Sequence, residues 1–493
     1  MDKTLVSLSA TELRAHIGSK QISPVELLDA CIERIHMVNP GVNALCATDF
    51  DRARAQAKLA EAAVMRGEAL GALHGLPIGI KDLTETAGLL TTFGNTGHTH
   101  HVPEKDNSFV TRLKAAGAII TAKTNTPDMG AGANTRNMVW GATGNPFNPT
   151  LIAGGSSGGS AVALATDMLP LCSGSDVGGS LRVPASICGV VGIRPSPGMI
   201  PQSGRRLGWS VLNVVGPMAR NVADTALMFQ ASMGSESMDP LSFPTHAKQV
   251  WPLAEIDPSQ LRIGYTEDLG CCIVDPAVRR VFADRVKSIS RFVKTCEPIS
   301  LSLGDPDQAF DVLRAEGFIA EMGESYRKDP TALSPNIRAN MEIASQLTLA
   351  DRAWAHLEQT SIMRSFARQF SQYDLILSPV TPVMAFPWEI LYADAVDGQK
   401  MRNYYHWLAL TYVVTLSTHP ALALPAGRDE SGLPFGLQLI GPLFQDGRLL
   451  AMAHALERAM ASDESLVRPK PDVTKLRTDT ANLKSIVTHP PRF

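Results

Sequence analysis

The chain has 493 residues, and its 45 Lys and Arg against 48 Asp and Glu give a formal net charge of −3. With 44% hydrophobic and 19% charged residues, it has the composition of a soluble globular protein, which excludes a disordered or fibrous chain. The near-neutral charge and the lack of a basic run argue against a nucleic-acid partner. Seven scattered cysteines without metal-ligand spacing predict reduced thiols in the cytoplasm.

Two segments bear on membrane targeting. The N-terminal sequence reaches Glu12 before an apolar stretch of signal-peptide length has formed, so no secretory signal is expected. Residues 403–427 contain no Asp, Glu, Lys or Arg, and their length would suit a membrane span. Because His419 and Pro420 would interrupt a lipid-facing helix, we predict a buried strand with its flanking loop and no membrane partner.

The N-terminal segment is predicted to be helical. Ser9 and Glu12 have the spacing of a capping box, and Ser23 and Glu26 repeat it with a proline at the first helical position. Residues 51–66 continue with an Ala-rich, charged helix that we expect to pack on the outside of the core.

Further along the chain, short apolar runs alternate with helical stretches, which predicts a sheet covered by helices. The predicted strands lie in 76–80, 118–122, 189–193, 374–383 and 421–440. The predicted helices lie in 108–116, 160–168 and 446–461. We expect one domain over 1–493 with five parts: a helical segment (1–70), a core that carries the motifs (71–230), a charged helical region (231–370), the C-terminal part of the core (371–465) and a polar tail (466–493).

Residues 154–184 contain two Gly-Gly-Ser clusters, which mark backbone that must bend or approach a ligand closely, since glycine costs roughly 0.5–1 kcal/mol in a regular element. One interpretation is a phosphate cradle, but neither GxxxxGK[ST] nor GxGxxG occurs there. A second is the nucleophile elbow of an α/β-hydrolase-like esterase. Ser156 and Ser157 each lie in a GxSxG pattern, and His419 is available to complete a triad.

A third interpretation joins this segment to Lys81, which ends a buried apolar run. Burial disfavours the charged form of lysine and can lower its pKa by several units. A neutral amine is a competent base, and serine with lysine is a recognised substitute for serine with histidine. A lysine that extends from a strand end to solvent is the structural alternative, and Lys81 taken alone favours it.

Taken together, the motifs resemble those of the amidase signature family, which includes fatty acid amide hydrolase, malonamidase and the glutaminase-type subunit of the tRNA-dependent glutamine amidotransferase. The matching pieces are GLPIGIKD at 75–82, KTNTPDMG at 123–130, WGATGNPFNP at 140–149, GGSSGGSAVALA at 154–165, GSDVGGSLRVPASICGVVGIRPS at 174–196 and GPMARNVADTALM at 216–228. Weaker C-terminal matches are HPALALPAG at 419–427 and GLPFGLQLIG at 432–441. Residues 235–370 carry little of the resemblance. It implies an α/β fold, with a large mixed sheet covered by helices on both faces.

The resemblance also implies a Ser–cis-Ser–Lys triad that cleaves amides through an acyl-enzyme. Lys81 matches the base, Ser156 the bridging serine after a cis peptide, and Ser180 the nucleophile. The interval of 24 residues between the two serines fits the family pattern. Ser157 could be mistaken for the nucleophile, but by resemblance it is a supporting residue.

The loop that carries Ser180 has two further implied roles. The backbone N–H groups of Val177, Gly178 and Gly179, with that of Ser180, would form the oxyanion hole. Asp176 and Arg182 would brace the loop as supporting residues, and a solvated ion pair is the plainer alternative. The histidine run at 98–101 is interpreted as a polar loop, so no metal and no cofactor is expected.

Within the family, the sequence favours an amidohydrolase that acts by itself on a small-molecule amide. Val183 follows Arg182 where the amidotransferase subunit typically has Gln, and the alternative would require partner subunits, ATP and tRNA. A homodimer is left open. The predicted pocket walls are 130–140, the helices of 300–360 and an aromatic cluster of Trp388, Tyr404, Tyr405, Trp407 and Tyr412.

Overall fold

The computed structural model describes residues 5–244 and 250–491, and a mixed sheet of eleven strands runs through them. The helices in this part of the chain are α1 (Ala10–Gly18), α2 (Pro24–Val42), α3 (Phe50–Arg66), α4 (Ser108–Ala115), α5 (Gly158–Ala165), α6 (Arg182–Cys188), α7 (Val222–Ser232), α8 (Pro276–Ile289), α9 (Pro306–Lys328), α10 (Pro335–Ala344), α11 (Leu349–Gln369), α12 (Ala409–Ser417) and α13 (Asp446–Met460). The strands are β1 (Leu45–Thr48), β2 (Pro77–Lys81), β3 (Ile119–Thr124), β4 (Arg136–Asn137), β5 (Gly141–Ala142), β6 (Leu171–Asp176), β7 (Val191–Arg194), β8 (Val214–Ala219), β9 (Arg262–Tyr265), β10 (Thr295–Pro298), β11 (Leu375–Pro379), β12 (Ala395–Val396), β13 (Gln399–Lys400), β14 (Ala421–Arg428) and β15 (Pro434–Ile440).

The strand order in the large sheet is β1-β3-β2-β6-β8-β7-β14-β15-β11-β9-β10. Strand β2 pairs in parallel with both β3 and β6, whereas β6 and β8 are antiparallel, so the sheet is mixed as predicted. Every residue of β2, β3 and β8 is buried, which requires helices over both faces of the central strands. The α/β fold predicted from the family resemblance is confirmed.

Local sequence signals set the N-terminal helices. In α1 the side chain of Ser9 accepts the Glu12 N–H at 3.1 Å, and the Ser9 N–H donates to the Glu12 carboxylate at 2.8 Å. The second predicted capping box forms in the same way at Ser23 and Glu26, where α2 begins. Each box satisfies N–H groups that a helix start leaves unpaired, so both predicted helix starts are confirmed.

Two regions differ from their predicted secondary structure. Residues 231–370 do hold helices α8–α11, but they also contribute β9 and β10 at one edge of the sheet. Residues 403–427 do contain a buried strand, the first part of β14, but the helix α12 lies before it where a flanking loop was predicted. Within the described residues, no helix is long and apolar enough to cross a membrane. Residues 1–4, which begin the N-terminal sequence considered for a signal, lie outside the described residues.

The predicted polar tail packs on the body of the protein. Within 466–491 there is no α-helix, yet Leu466, Leu476 and Leu483 are buried in the core. The last two residues of the predicted tail, 492–493, lie outside the described residues. The alternation of apolar and polar residues in this segment is irregular, so its burial comes from tertiary contacts and has no periodic signal.

Candidate active site

Lys81 is the last residue of β2, and its side chain is completely buried. Its Nζ donates to Ser156 Oγ at 2.7 Å and to Ser175 Oγ at 3.0 Å. Its backbone N–H donates to Ser173 Oγ at 2.9 Å, so the neighbouring strand β6 contacts both the backbone and the tip of the residue. The alternative in which Lys81 extends to solvent is therefore wrong.

The environment of Lys81 changes its protonation. Burial lowers the pKa of this amine to about 7, and the negative charge of Asp176 opposes the shift only in part. A lysine with that pKa is about half neutral at pH 7. It can therefore accept a proton from a hydroxyl group at physiological pH.

The serine pair at 156–157 directly precedes α5, and Ser157 is the N-cap residue of this helix. The Gly155–Ser156 peptide bond is cis, as the family resemblance implied. The Ser157 N–H donates to the Ser180 carbonyl at 3.3 Å, and Ser157 Oγ accepts the Ser175 N–H at 3.4 Å. Through these two hydrogen bonds, Ser157 links the segment of Ser156 to strand β6 and to the loop that carries Ser180.

The loop after β6 carries Ser180, which is half-buried. The Asp176 carboxylate accepts the Gly179 N–H at 2.9 Å, so this N–H is already engaged inside the loop. This N–H was expected to belong to the oxyanion hole, and the carboxylate that binds it in the structure lies only three residues earlier in the sequence. The N–H groups of Val177, Gly178 and Ser180 have no hydrogen-bond partner in the described part of the chain.

Helix α12 supports this loop from the other side. Thr411 Oγ1 donates to the Gly178 carbonyl at 2.6 Å. Gly179 has a φ of +122°, and a Cβ at this position would collide with the Thr411 side chain. Glycine is required at 179 both by this backbone conformation and by the close contact.

Asp176 and Arg182 form a buried pair with a third charged residue, Arg194. Arg182 donates to both carboxylate oxygens of Asp176, at 2.9 and 3.1 Å, and Arg194 donates to the Asp176 carbonyl at 2.8 Å. Burial opposes ionisation of Asp176, but the two arginines outweigh it and hold the pKa of this carboxyl well below its usual range. Because all three side chains are fully buried, the alternative of a solvated pair is wrong.

A cavity of about 660 Å³ opens beside these groups. Its wall includes Ser156, Ser175, Val177, Gly178 and Ser180. Lys81 lies outside the wall and contacts it through the two serine hydroxyls. A larger, separate cavity of about 920 Å³ contains none of the predicted site residues.

The predicted aromatic wall is only partly correct. Tyr404 and Tyr405 line the cavity, but Trp388, Trp407 and Tyr412 are not part of its wall. These three side chains are buried in the core. An aromatic residue in an uncharged run suits a core and a pocket equally well, so the sequence pattern could not separate the two.

The other walls come from three segments. From the predicted range 130–140, Gly130 and Gly132 line the cavity, and from 300–360 only α9 does so. The segment 202–215 forms a wall that the sequence analysis missed. It follows a motif but carries no periodic pattern of its own, so no local signal marked it.

Sequence reasoning also missed Ser173 and Ser175. They are two residues apart on β6 and therefore face the same side of the sheet. The neighbouring strand β2 carries Lys81 on that side, and this pairing brings the three residues together. The alternating serines in the LCSGSD run were the signal that could have found them.

The histidine run contributes to the cavity wall. His98 and His101 line the wall, and their rings pack on Phe93 with centroids 5.1 and 5.7 Å away. Burial, with His101 nearby, lowers the pKa of His98. Among the described residues, no group of three or more His, Cys, Asp or Glu is arranged to hold a metal ion.

The esterase interpretation required a histidine beside a serine of the GxSxG patterns. His419 instead stacks on Phe370 at 5.2 Å, and its Nδ1 lies 2.9 Å from the Ser417 carbonyl oxygen. Burial lowers its pKa to about 4. Since no described histidine hydrogen-bonds to Ser156 or Ser157, the structure does not support a serine–histidine triad.

Comparison with known proteins gives a consistent result. The chain matches the family described as Amidase over residues 26–450. It is 33% identical over 464 residues to an acylamidase of Rhodococcus erythropolis, covering 92% of this chain and 96% of that protein. It is 32% identical over 484 residues to a glutamyl-tRNA(Gln) amidotransferase subunit of Acidothermus cellulolyticus, covering 92% and 95%. A solved bacterial aryl acylamidase of the amidase signature family has a TM-score of 0.84 at 26% identity, covering 92% of this chain and 96% of that one.

Proposed function

The chain belongs to the amidase signature family and is an amidase, and from that premise we propose that it hydrolyses carboxylic amides by itself through an acyl-enzyme on Ser180. The contact of 2.7 Å between Lys81 Nζ and Ser156 Oγ is the observation that carries the proposal. With a pKa of about 7, Lys81 supplies a base that is available at neutral pH. The substrate is a small-molecule amide, and neither a nucleic acid nor a cofactor takes part.

In the first half of the reaction, Ser180 Oγ attacks the amide carbonyl carbon. Its proton passes to Ser156, whose own proton passes to the neutral amine of Lys81. The second hydroxyl at Lys81, that of Ser175, holds the amine in line at 3.0 Å. The C–N bond then breaks, and the relay returns the proton to the leaving amine.

The oxyanion of the tetrahedral intermediate accepts hydrogen bonds from the N–H groups of Val177, Gly178 and Ser180. Each such donor contributes about 3 kcal/mol or more in comparable sites. We assign the Gly179 N–H to the Asp176 carboxylate, where it holds the loop in shape. Water, deprotonated by the same relay, then attacks the acyl carbon. The ester bond to Ser180 Oγ breaks, the carboxylic acid leaves, and the relay returns the proton to Ser180 Oγ.

A second candidate function follows from the similarity to the amidotransferase subunits. In that case the site would release ammonia from an amide for a reaction that needs partner subunits, ATP and tRNA. Val183, in place of the Gln typical of those subunits, favours the self-sufficient hydrolase.

The purified chain, without ATP or partners, should therefore release ammonia from primary amides or arylamine from anilides. Ser180→Ala should abolish the release, and Ser210→Ala is the matched control, because Ser210 lines the same cavity without contacting Lys81. Turnover that survives in Ser180→Ala would show that the nucleophile is wrong. If no amide in a broad panel reacts, the amidotransferase function gains weight.

A further inference from the structure

Arg314 is a buried cation in the cavity wall. The residue is only 8% exposed, yet it forms no ion pair with any Asp or Glu among the described residues. The other two cavity arginines differ from it. Arg205 pairs with Asp239 at 2.6 Å, and Arg206 is exposed to solvent. A buried charge without a counter-charge is unfavourable unless something else compensates for it.

The hydrogen bonds of Arg314 leave part of its guanidinium free. Nε donates to Asn340 Oδ1 at 3.0 Å, and Nη2 donates to the Tyr404 hydroxyl at 2.6 Å. The Asn340 amide also donates to the Tyr404 hydroxyl at 2.7 Å, which fixes both acceptors. Since a guanidinium has five N–H donors, the remaining ones on Nη1 and Nη2 can form a fork toward one carboxylate.

Aromatic rings hold the plane of this guanidinium. The Arg314 Cζ atom lies 4.8 Å from the ring centres of both Phe318 and Tyr405, and 5.6 and 5.8 Å from those of Tyr404 and Phe310. Such contacts stabilise and orient the group, but they do not neutralise its charge. An apolar side chain of similar length would fill the same space without burying a cation, so packing alone does not explain an arginine here.

The helix leaves room beside this cation. Gly317 lies one turn after Arg314 on α9 and lines the same cavity, and a Cβ at this position would meet no atom within 4 Å. Glycine is less favourable than alanine inside a helix, so α9 is less stable at this position than it would be with alanine. The result is open space on the cavity side of α9, one turn from Arg314.

We propose that Arg314 binds a carboxylate of the substrate, so that the amide cleaved by this enzyme carries an anionic group; the proposal rests on the proposed function. Phe310 Cζ would lie 3.2 Å from a Cβ at Gly178, so α9 contacts the loop of Ser180 one turn before Arg314. The four residues from Phe310 to Arg314 rise roughly 6 Å along the helix at about 1.5 Å per residue. The carboxylate should therefore lie only a few methylene groups from the scissile carbonyl.

Two series of amides test this assignment, one with the carboxylate on the acyl side and one with it on the amine side. The first pairs the monoamides of linear dicarboxylic acids with primary amides of equal length that end in a methyl group. The second pairs N-acetylated linear amino acids of increasing chain length with the N-acetylated alkylamines of equal length. In the wild-type enzyme we expect roughly 10- to 100-fold higher kcat/KM for the carboxylates of one series, the size of a hydrogen bond to a charged group. The advantage should arise mainly from KM.

Substitutions test whether Arg314 causes the preference for carboxylates. Arg314→Met, which keeps the length and removes the charge, should bring the ratio close to one, and Arg314→Lys should keep part of it. Neutral amides should change by less than about threefold in both variants. Gly317→Leu fills the space and favours the helix, so it should fold and should lose the carboxylate preference even if Arg314→Met does not fold.

Binding to Ser180→Ala separates this proposal from the proposed function. If Ser180→Ala binds the carboxylates more tightly by the same factor in calorimetry, and loses this in the double variant with Arg314→Met, the assignment holds even without turnover. If the wild type hydrolyses neutral amides through Ser180 and shows no preference in either series, the carboxylate site is overturned and the amidase function stands. Equal affinity of Ser180→Ala for charged and neutral amides would also overturn the carboxylate site.

Discussion

The proposed reaction centre and the cavity wall formed by α9 are built in opposite ways. At the reaction centre, Lys81, Asp176 and Arg182 are fully buried in a network whose strands are buried on both faces. Helix α9 buries only one face, and Ile319 on its other side is 48% exposed. The first region lies within the family motifs, whereas the second carries little of the resemblance.

Because of this difference, we expect the reaction centre to determine the chemistry and helix α9 to determine the substrate selectivity. A buried polar network tolerates little change, because removing one partner leaves another polar group or charge without compensation. A half-exposed helix can change the side chains that it presents to the cavity while the sheet remains intact. We therefore expect substitutions in α9 and in the segment 202–215 to change substrate preference more than the reaction itself.

The largest expected effect is that of Lys81→Met, which should lower the activity and raise the stability of the protein. We expect kcat to fall about 10³-fold or more, because the base is lost. The folded pKa of about 7 lies below the ordinary 10.5, so the unfolded chain binds more protons between these values. The cost of burying Lys81 is thus complete below pH 7 and disappears as the pH rises toward 10.5.

The variant should therefore be more stable than the wild type in urea at about pH 6.5, and this difference should shrink at about pH 10. Lys123→Met is the matched control for activity. Lys123 is a second buried lysine, with a pKa lowered to about 8, but its Nζ contacts Thr84 and Thr86 instead of the serines. Substantial activity in Lys81→Met would rule out its role as the base.

Asp176→Asn should destabilise the reaction centre by about 3–5 kcal/mol, since it leaves two buried arginines without their counter-charge. Urea unfolding measures the loss. The control is Asp29→Asn, which breaks an exposed pair with Arg54 and should cost less than about 1 kcal/mol. Similar losses of unfolding free energy for both variants would mean that the buried network contributes no more to stability than an exposed ion pair.

The pH dependence of the wild type reports the base directly. Below pH 7 the fraction of neutral Lys81 falls about tenfold per pH unit, so kcat/KM should be about 100-fold lower at pH 5 than on the plateau above pH 8. The profile is measured with a slow anilide, for which chemistry limits the rate. A flat profile from about pH 5 to 9 would contradict the assignment of Lys81.

The smallest effect is expected on the α9 side. Met322 lines the cavity and packs against the small cluster of Ala131, Leu333 and Ile337. Met322→Ala should raise KM by about two- to tenfold through lost apolar contact, and should leave kcat and the pH midpoint unchanged. A shift in the pH midpoint would show that the wall and the reaction centre are coupled.

Much of this protein could be predicted from its sequence alone. The capping boxes at Ser9 and Ser23, the buried runs of β2 and β3 and the motifs around Lys81, Ser156 and Ser180 are local patterns, and each predicts its structure without reference to distant residues. The roles given to those three residues came from resemblance and stay a prediction.

Other features were decided by tertiary structure. The hydroxyl of Ser175 at Lys81 and the position of Arg314 in the cavity wall follow from packing. Lys81 and Ser175 are 94 positions apart, and the pairing of β2 with β6 brings them together. Such contacts depend on how elements pack against each other, and local periodicity carries no information about them, because a side chain has the same sequence neighbours whether it faces a core, a cavity or solvent.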